Sequence, residues 1–140
     1  MKKSVSVPFS REETYEILMD PIRLALWLDV PSVTTGRGKM HIFEIEDWRA
    51  ETPWKVRGTI IRNVENEEFC VELDRGRWWN PVELIEITIT GTQDGCILEA
   101  DFTAPEGSPF VESLLDPKGP TRLQAAIAAD TVGQFKETGT

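Results

Sequence analysis

The chain has 140 residues, 40% of them hydrophobic and 28% charged, the composition of an ordinary globular protein with one domain. Its 24 acidic and 15 basic residues leave a net charge of −9, so it lacks the basic footprint that nucleic acid and anionic membrane surfaces require. No apolar run is long enough for membrane insertion, and none follows Lys2-Lys3 as in a secretory signal, so the expected location is the cytoplasm.

From the start of the chain, Val5, Val7 and Phe9 alternate with Ser4 and Ser6, as in a strand that runs out at Pro8. Ser10 with Glu13 forms a capping box, and Thr14, Ile17 and Leu18 follow at helical spacing. Pro21 ends that helix at Asp20 and opens a second one, in which Leu24, Trp27 and Leu28 share a face. A loop at 29–31 and an extended piece at 33–35 lead to Gly36-Arg37-Gly38, a turn signal, and to a strand over 39–45. There Met40, Ile42 and Glu44 are expected on the inner face, with His41 and Phe43 opposite.

A polar loop at 47–53 contains Trp48, and Trp54 stands just after it. The strand at 56–64 puts Val56, Gly58 and Ile60 together, and a tight connection at 65–67 joins it to 68–73, where Phe69, Val71 and Leu73 align. A second long loop, 74–81, carries Trp78 and Trp79. The strand at 82–90 shows Ile85, Ile87 and Ile89 at period two, and beyond a turn at 91–95 the strand at 96–103 aligns Cys96, Leu98, Ala100 and Phe102. Strands with one apolar and one polar face imply an antiparallel sheet covered on one side. A third loop, 104–115, holds Phe110, and Asp116-Pro117 starts a final helix with a stripe of Leu123, Ala126, Ile127 and Phe135. That helix is weakly hydrophobic, so its face is expected to lie on the concave side of the sheet.

This order, and the 5–28 stretch above all, resembles the START/polyketide-cyclase-like (SRPBCC) superfamily. The closer likeness is to the branch related to the activator of heat-shock chaperone ATPases. Met19-Asp20-Pro21 stands where Thr-Asp-Pro is common in that branch, and Trp27 stands at its tryptophan position. Gly36-Arg37-Gly38, Gly58-Thr59-Ile60 and the last hairpin also match, whereas Gly119-Pro120 replaces the frequent Gly-Trp pair at the final helix. The resemblance implies an α+β helix-grip fold, a curved antiparallel sheet wrapped around a long C-terminal helix. It implies binding of a small apolar, aromatic or lipid-like molecule between sheet and helix. A protein-interaction module of the chaperone-activator type and a cyclase- or hydratase-like enzyme are the other roles it allows.

In an antiparallel meander alternate connections share an end, so the loops at 47–53, 74–81 and 104–115 are expected together, beside the segment from Trp27 to Pro31. Most of the five tryptophans gather there, as the mouth of an apolar cavity, a plug of the core, or a self-association patch that would make a homodimer of a monomer. The candidate lining is Trp27, Met40, Ile42, Glu44, Trp54, Val56, Ile60, Phe69, Val71, Trp78, Trp79, Ile87, Leu98, Phe102, Phe110, Leu123 and Ile127. Glu44 on the inner face would need a partner, for which Arg62 is the candidate, or a bulge that lets it reach water. His41, the single histidine, reads as a solvent-side residue. Cys70 and Cys96 lie on separate strands and read as structural thiols. Glu65, Glu67 and Glu68 read as a solvated turn, and Arg75 and Arg77 as exposed arginines. No nucleophilic triad, phosphate loop, metal cluster or dinucleotide fingerprint is present, so no cofactor is expected.

Overall fold

The computed structural model describes residues 1–36, 39–74, 83–102 and 109–128, with 39 and 40 described through their backbone only. The alternating segments pair into one sheet of seven strands in the order β1-β7-β6-β5-β4-β3-β2, every neighbouring pair antiparallel. The strands are β1 (Lys2–Val7), β2 (Ser32–Gly36), β3 (Lys39–Asp47), β4 (Trp54–Val64), β5 (Glu68–Asp74), β6 (Glu83–Thr92) and β7 (Gly95–Phe102). Four helices join them: α1 (Arg11–Leu18) and α2 (Pro21–Leu28) between β1 and β2, then α3 (Pro109–Leu114) and α4 (Lys118–Ala128) after β7.

Local chemistry accounts for the helix starts. Ser10 Oγ accepts from the Glu13 amide at 3.1 Å and caps α1, while Asp20 Oδ1 accepts from the Ile22 amide at 3.0 Å and caps α2 at its Pro21. Asp116 does the same for α4, accepting from the Lys118 amide at 2.9 Å. Asp29 ends α2 in the left-handed conformation, φ 56°.

The helices lie on one face of the sheet, and the core forms between the two layers. α1 rests on β6 and β7, where Thr14 Oγ1 meets Cys96 Sγ at 3.2 Å in the interior. Tyr15 turns its ring edge-on to Phe69 at 6.5 Å and donates its hydroxyl to Asn63 Oδ1 at 2.7 Å. α2 packs on β2, α1, α3 and α4.

Three expectations change. The stretch 104–115 is not all loop, because α3 forms at its end with Phe110, Val111 and Leu114 buried. β3 runs two residues further than expected and faces the other way: Phe43 and Ile45 point into the core, and Ile42 is 44% exposed. The register explains this, since Phe43 lies opposite Gly58 and Ile45 opposite Val56, and directly opposed residues share a face. The third change is in β4, where Ile60 opposes Val71 but Arg62 opposes Cys70, so a bulge at Ile61 breaks the strict alternation.

Candidate functional site

The inner face of the sheet is a hydrocarbon wall. Val56 and Ile60 on β4, Phe69, Val71 and Leu73 on β5, Ile85, Ile87 and Ile89 on β6, and Leu98, Ala100 and Phe102 on β7 are all buried there. Phe43 adds a ring from β3, fitted into the space that Gly58 leaves on β4: a Cβ at Gly58 would lie 2.2 Å from Phe43 Cζ. Phe110 of α3 meets Phe43 at 6.3 Å between ring centroids, so the short helix closes over this part of the wall.

Around that closure the last helices lock onto α2. Trp27 is fully buried and donates Nε1–H to the Leu114 carbonyl of α3 at 2.9 Å. Gly119 of α4 approaches the same indole, and a Cβ there would lie 2.8 Å from Trp27 Cδ1. The sequence departure at Gly119-Pro120 thus falls on a close helix contact, where any side chain at position 119 would meet the Trp27 ring. Arg122 reaches back from α4 to donate to the Trp27 carbonyl at 2.6 Å and the Leu26 carbonyl at 3.3 Å, a cation at the negative end of α2. Leu123 is fully buried.

The end of α2 and the β3–β4 loop share one end of the molecule, since Arg49 donates to the Asp29 carbonyl at 2.9 Å and pairs with its carboxylate at 3.5 Å. Trp48 in that loop is 57% exposed, and Trp54 is half-buried against the core. Of the other tryptophans, Trp27 is the plug, held by both neighbouring helices. Trp78 and Trp79 lie outside the described residues, as do Arg75, Arg77 and Phe135, and the side chain of Met40.

Several candidates are not where alternation puts them. Ile42 and Glu44 face outward with the rest of their side of β3, and Ile127 is 51% exposed on α4. Glu44 has no pairing with Arg62. It accepts from Arg57 Nη2 at 3.0 Å and lies 3.6 Å from Lys55 Nζ, and these two cations, Arg57 first, hold its carboxyl below the usual range. Arg62, turned outward by the bulge, pairs instead with Glu68 at 3.7 Å and Glu86 at 4.0 Å. Cys70 and Cys96 are free, buried thiols, each pushed up chiefly by burial.

One residue was missed. Glu83 opens β6 on the inner face, 7% exposed and opposite Leu73, the sole buried charged side chain among the described residues. Its signal was present in the sequence, because the period-two run of Ile85, Ile87 and Ile89 extends back to it. At the opposite end, by the tight turns, an open cleft of about 730 Å³ runs between the start of α1 and the β6–β7 hairpin. Ser10, Arg11 and Glu12, with Glu67, Glu68 and the threonines of β6, make its lining polar. Among the described residues no group of His, Cys, Asp or Glu could hold a metal ion, and no helix is long and apolar enough to cross a membrane.

No protein-family model matches the chain, and no curated protein matches it. Solved structures do. The chain is similar to an AHSA1-like protein from Aeromonas hydrophila at 15% identity, with a TM-score of 0.64 over 90% of this chain and 94% of that one. A START superfamily protein from Mycobacterium smegmatis has a TM-score of 0.56 at 13% identity, covering 99% of this chain and 97% of that one. The di-domain ARO/CYC StfQ from the steffimycin biosynthetic pathway has a TM-score of 0.55 at 13% identity, over 97% of this chain and 48% of that one. What such likenesses share with the order of strands and helices above is architecture: the chain has the START-like (SRPBCC) helix-grip fold, in a form also taken by an AHSA1-like protein.

Proposed function

We propose that the protein binds a small apolar or aromatic molecule between the concave face of its sheet and the helices over it. The observation that carries this reading is the way the hydrocarbon wall is closed. Its Phe43 edge is covered by α3, a six-residue helix that touches it through the Phe110 ring. So short a helix has little stability of its own and depends on what it packs against, so it is suited to yielding to a ligand. A wall of Ile, Leu, Val and Phe side chains offers a ligand shape and apolar area, with few polar groups to orient it. The likeness to a START superfamily protein and to an ARO/CYC protein supports the same reading at the level of fold.

The test is titration with a neutral apolar fluorophore such as N-phenyl-1-naphthylamine. Saturable binding at one site, with tryptophan emission quenched by energy transfer, is the expected result, and Phe110→Ala should alter the affinity. A saturating probe that leaves the emission unchanged overturns the proposal.

A second reading, a module that docks on a protein partner, draws on Trp48. This large ring is 57% exposed, and the likeness to an AHSA1-like protein points the same way. Under that reading Trp48→Ala weakens partner capture and leaves probe binding intact.

A further inference from the structure

We infer that the protein forms a two-fold dimer through the edge of its sheet at β2, where the Ser32–Gly36 segments of two copies pair antiparallel and join their sheets into one. This is independent of the ligand-binding reading, because it uses the rim of the sheet and not its concave face.

The sheet ends in two open edges, β1 and β2. An open edge presents main-chain donors and acceptors that template another strand, and proteins commonly guard it with charge, lysine above all. β1 is guarded in this way by Lys2 and Lys3. β2 is not: Ser32, Val33, Thr34, Thr35 and Gly36 make it the single strand of the seven with no charged residue, and its three central residues are β-branched. Pro31 stands just before the strand and takes no part in its pairing. β2 bonds to β3 on one side, and among the described residues no main-chain group bonds to its other side. α2 packs on β2, where Val33 leans on the core, and Thr34 at the centre of the strand stays exposed.

Charge and symmetry point to a second copy as the occupant. A chain of net charge −9 repels itself over most of its surface, but the sheet behind β2 is balanced. On β3, Glu44 opposes Thr34 and Glu46 opposes Ser32, and on β4 Arg57 and Lys55 oppose those two glutamates. Glu44 is held by both cations, Arg57 at 3.0 Å and Lys55 at 3.6 Å. Across a joined pair of β2 strands the glutamates of the two copies would stand three strand spacings apart, about 14 Å, which exceeds the screening length of about 8 Å at physiological salt. An antiparallel pair centred on Thr34 is also self-complementary. Thr34 then opposes Thr34, Val33 of each copy opposes Thr35 of the other, and such β-branched pairs stabilise a ladder. Five residues a side are few beside the about 20–30 of a standard interface, so the dimer is expected to dissociate on dilution.

Sedimentation velocity and amide exchange on the full chain, both followed from micromolar to millimolar concentration, test this. The expected result is a reversible dimer in which the amides of 32–36 that point away from β3 exchange slowly, while in the monomer they exchange fast. Thr34→Lys is expected to weaken dimerisation at least about tenfold, because it sets two ammonium groups face to face across the two-fold axis. An equal mixture of Thr34→Lys and Thr34→Glu is expected to recover the dimer, a rescue that a mere loss of folding in either variant would not give. A chain that stays monomeric into the millimolar range, leaving the edge to a strand of some other protein, overturns the inference. So does a dimer in which the 32–36 amides exchange no more slowly than in the monomer, and so does wild-type dimerisation by Thr34→Lys.

Discussion

A methyl group at position 58 would lie 2.2 Å from Cζ of Phe43, with the other ring carbons at 2.6 and 2.7 Å. Phe43 is itself wedged against Phe110, so the ring can retreat only by disturbing α3. Gly58→Ala is therefore expected to destabilise the protein by about 1–3 kcal/mol through overpacking, read as a lower urea midpoint. Adding Phe43→Leu, which shortens the obstructing side chain, should recover part of that loss. Glu44 makes a different kind of prediction. Its carboxyl is held below the usual value of 4.5 by the hydrogen bond from Arg57 and the charge of Lys55. A depressed folded-state pKa means that the stabilising contribution is present above the unfolded pKa and is lost as pH falls through the folded one. Because Glu44 is solvent-facing the effect on stability is small and screened by salt. The direct readout is the Glu44 carboxyl 13C shift, which should titrate below the ordinary glutamate value and move up in Arg57→Ala.

Among the elements, α2 and α4 are joined by side chains that reach main chain. Arg122 donates to two carbonyls at the C-terminus of α2, that of Trp27 and that of Leu26, which also accepts from the Asp29 amide at the helix end. Arg122→Ala should cost about 1–2 kcal/mol, and Arg122→Lys should restore only part, because a point charge cannot span both carbonyls. The same two helices show how an element can be legible while its contacts are not. The Ser10 cap, the break at Asp20-Pro21 and the Leu24, Trp27, Leu28 face of α2 follow from the sequence alone. That Trp27 spends its N–H on Leu114 does not, because the partner belongs to α3, a helix of six residues in a stretch rich in proline and glycine. Six residues complete fewer than two turns, too few for a helical period to show in the pattern.

At the scale of the whole molecule, the order of elements apart from α3 and the inner faces of β5 to β7 were readable, since each of those strands carries three or more apolar residues at period two, while on β4 the reading holds only as far as Ile60. The candidate site was readable in outline only. On β3 each face carries two apolar residues, Met40 and Ile42 on one and Phe43 and Ile45 on the other, so alternation could not choose between Ile42 and Phe43. Only the pairing with β4 decides it, and pairing is a property of two segments at once. Glu83 was passed over because a charged residue at a strand's first position is usually solvated, and its burial depends on what packs over it.

The bulge at Ile61 has a consequence for how this chain tolerates changes of length. It divides β4 into two halves of opposite phase, so that Asn63 falls opposite Phe69 and meets Tyr15, while Arg62 is turned to the outside. Excising the single residue 61 would leave every pairing in place, with Arg62 following Ile60 directly, still opposite Cys70 and still turned outward, and swapping its side chain, half out in water, disturbs as little. In this strand one link can be lost without a change of phase, and a deletion scan is expected to find tolerance at 61 that a strictly alternating strand would not offer.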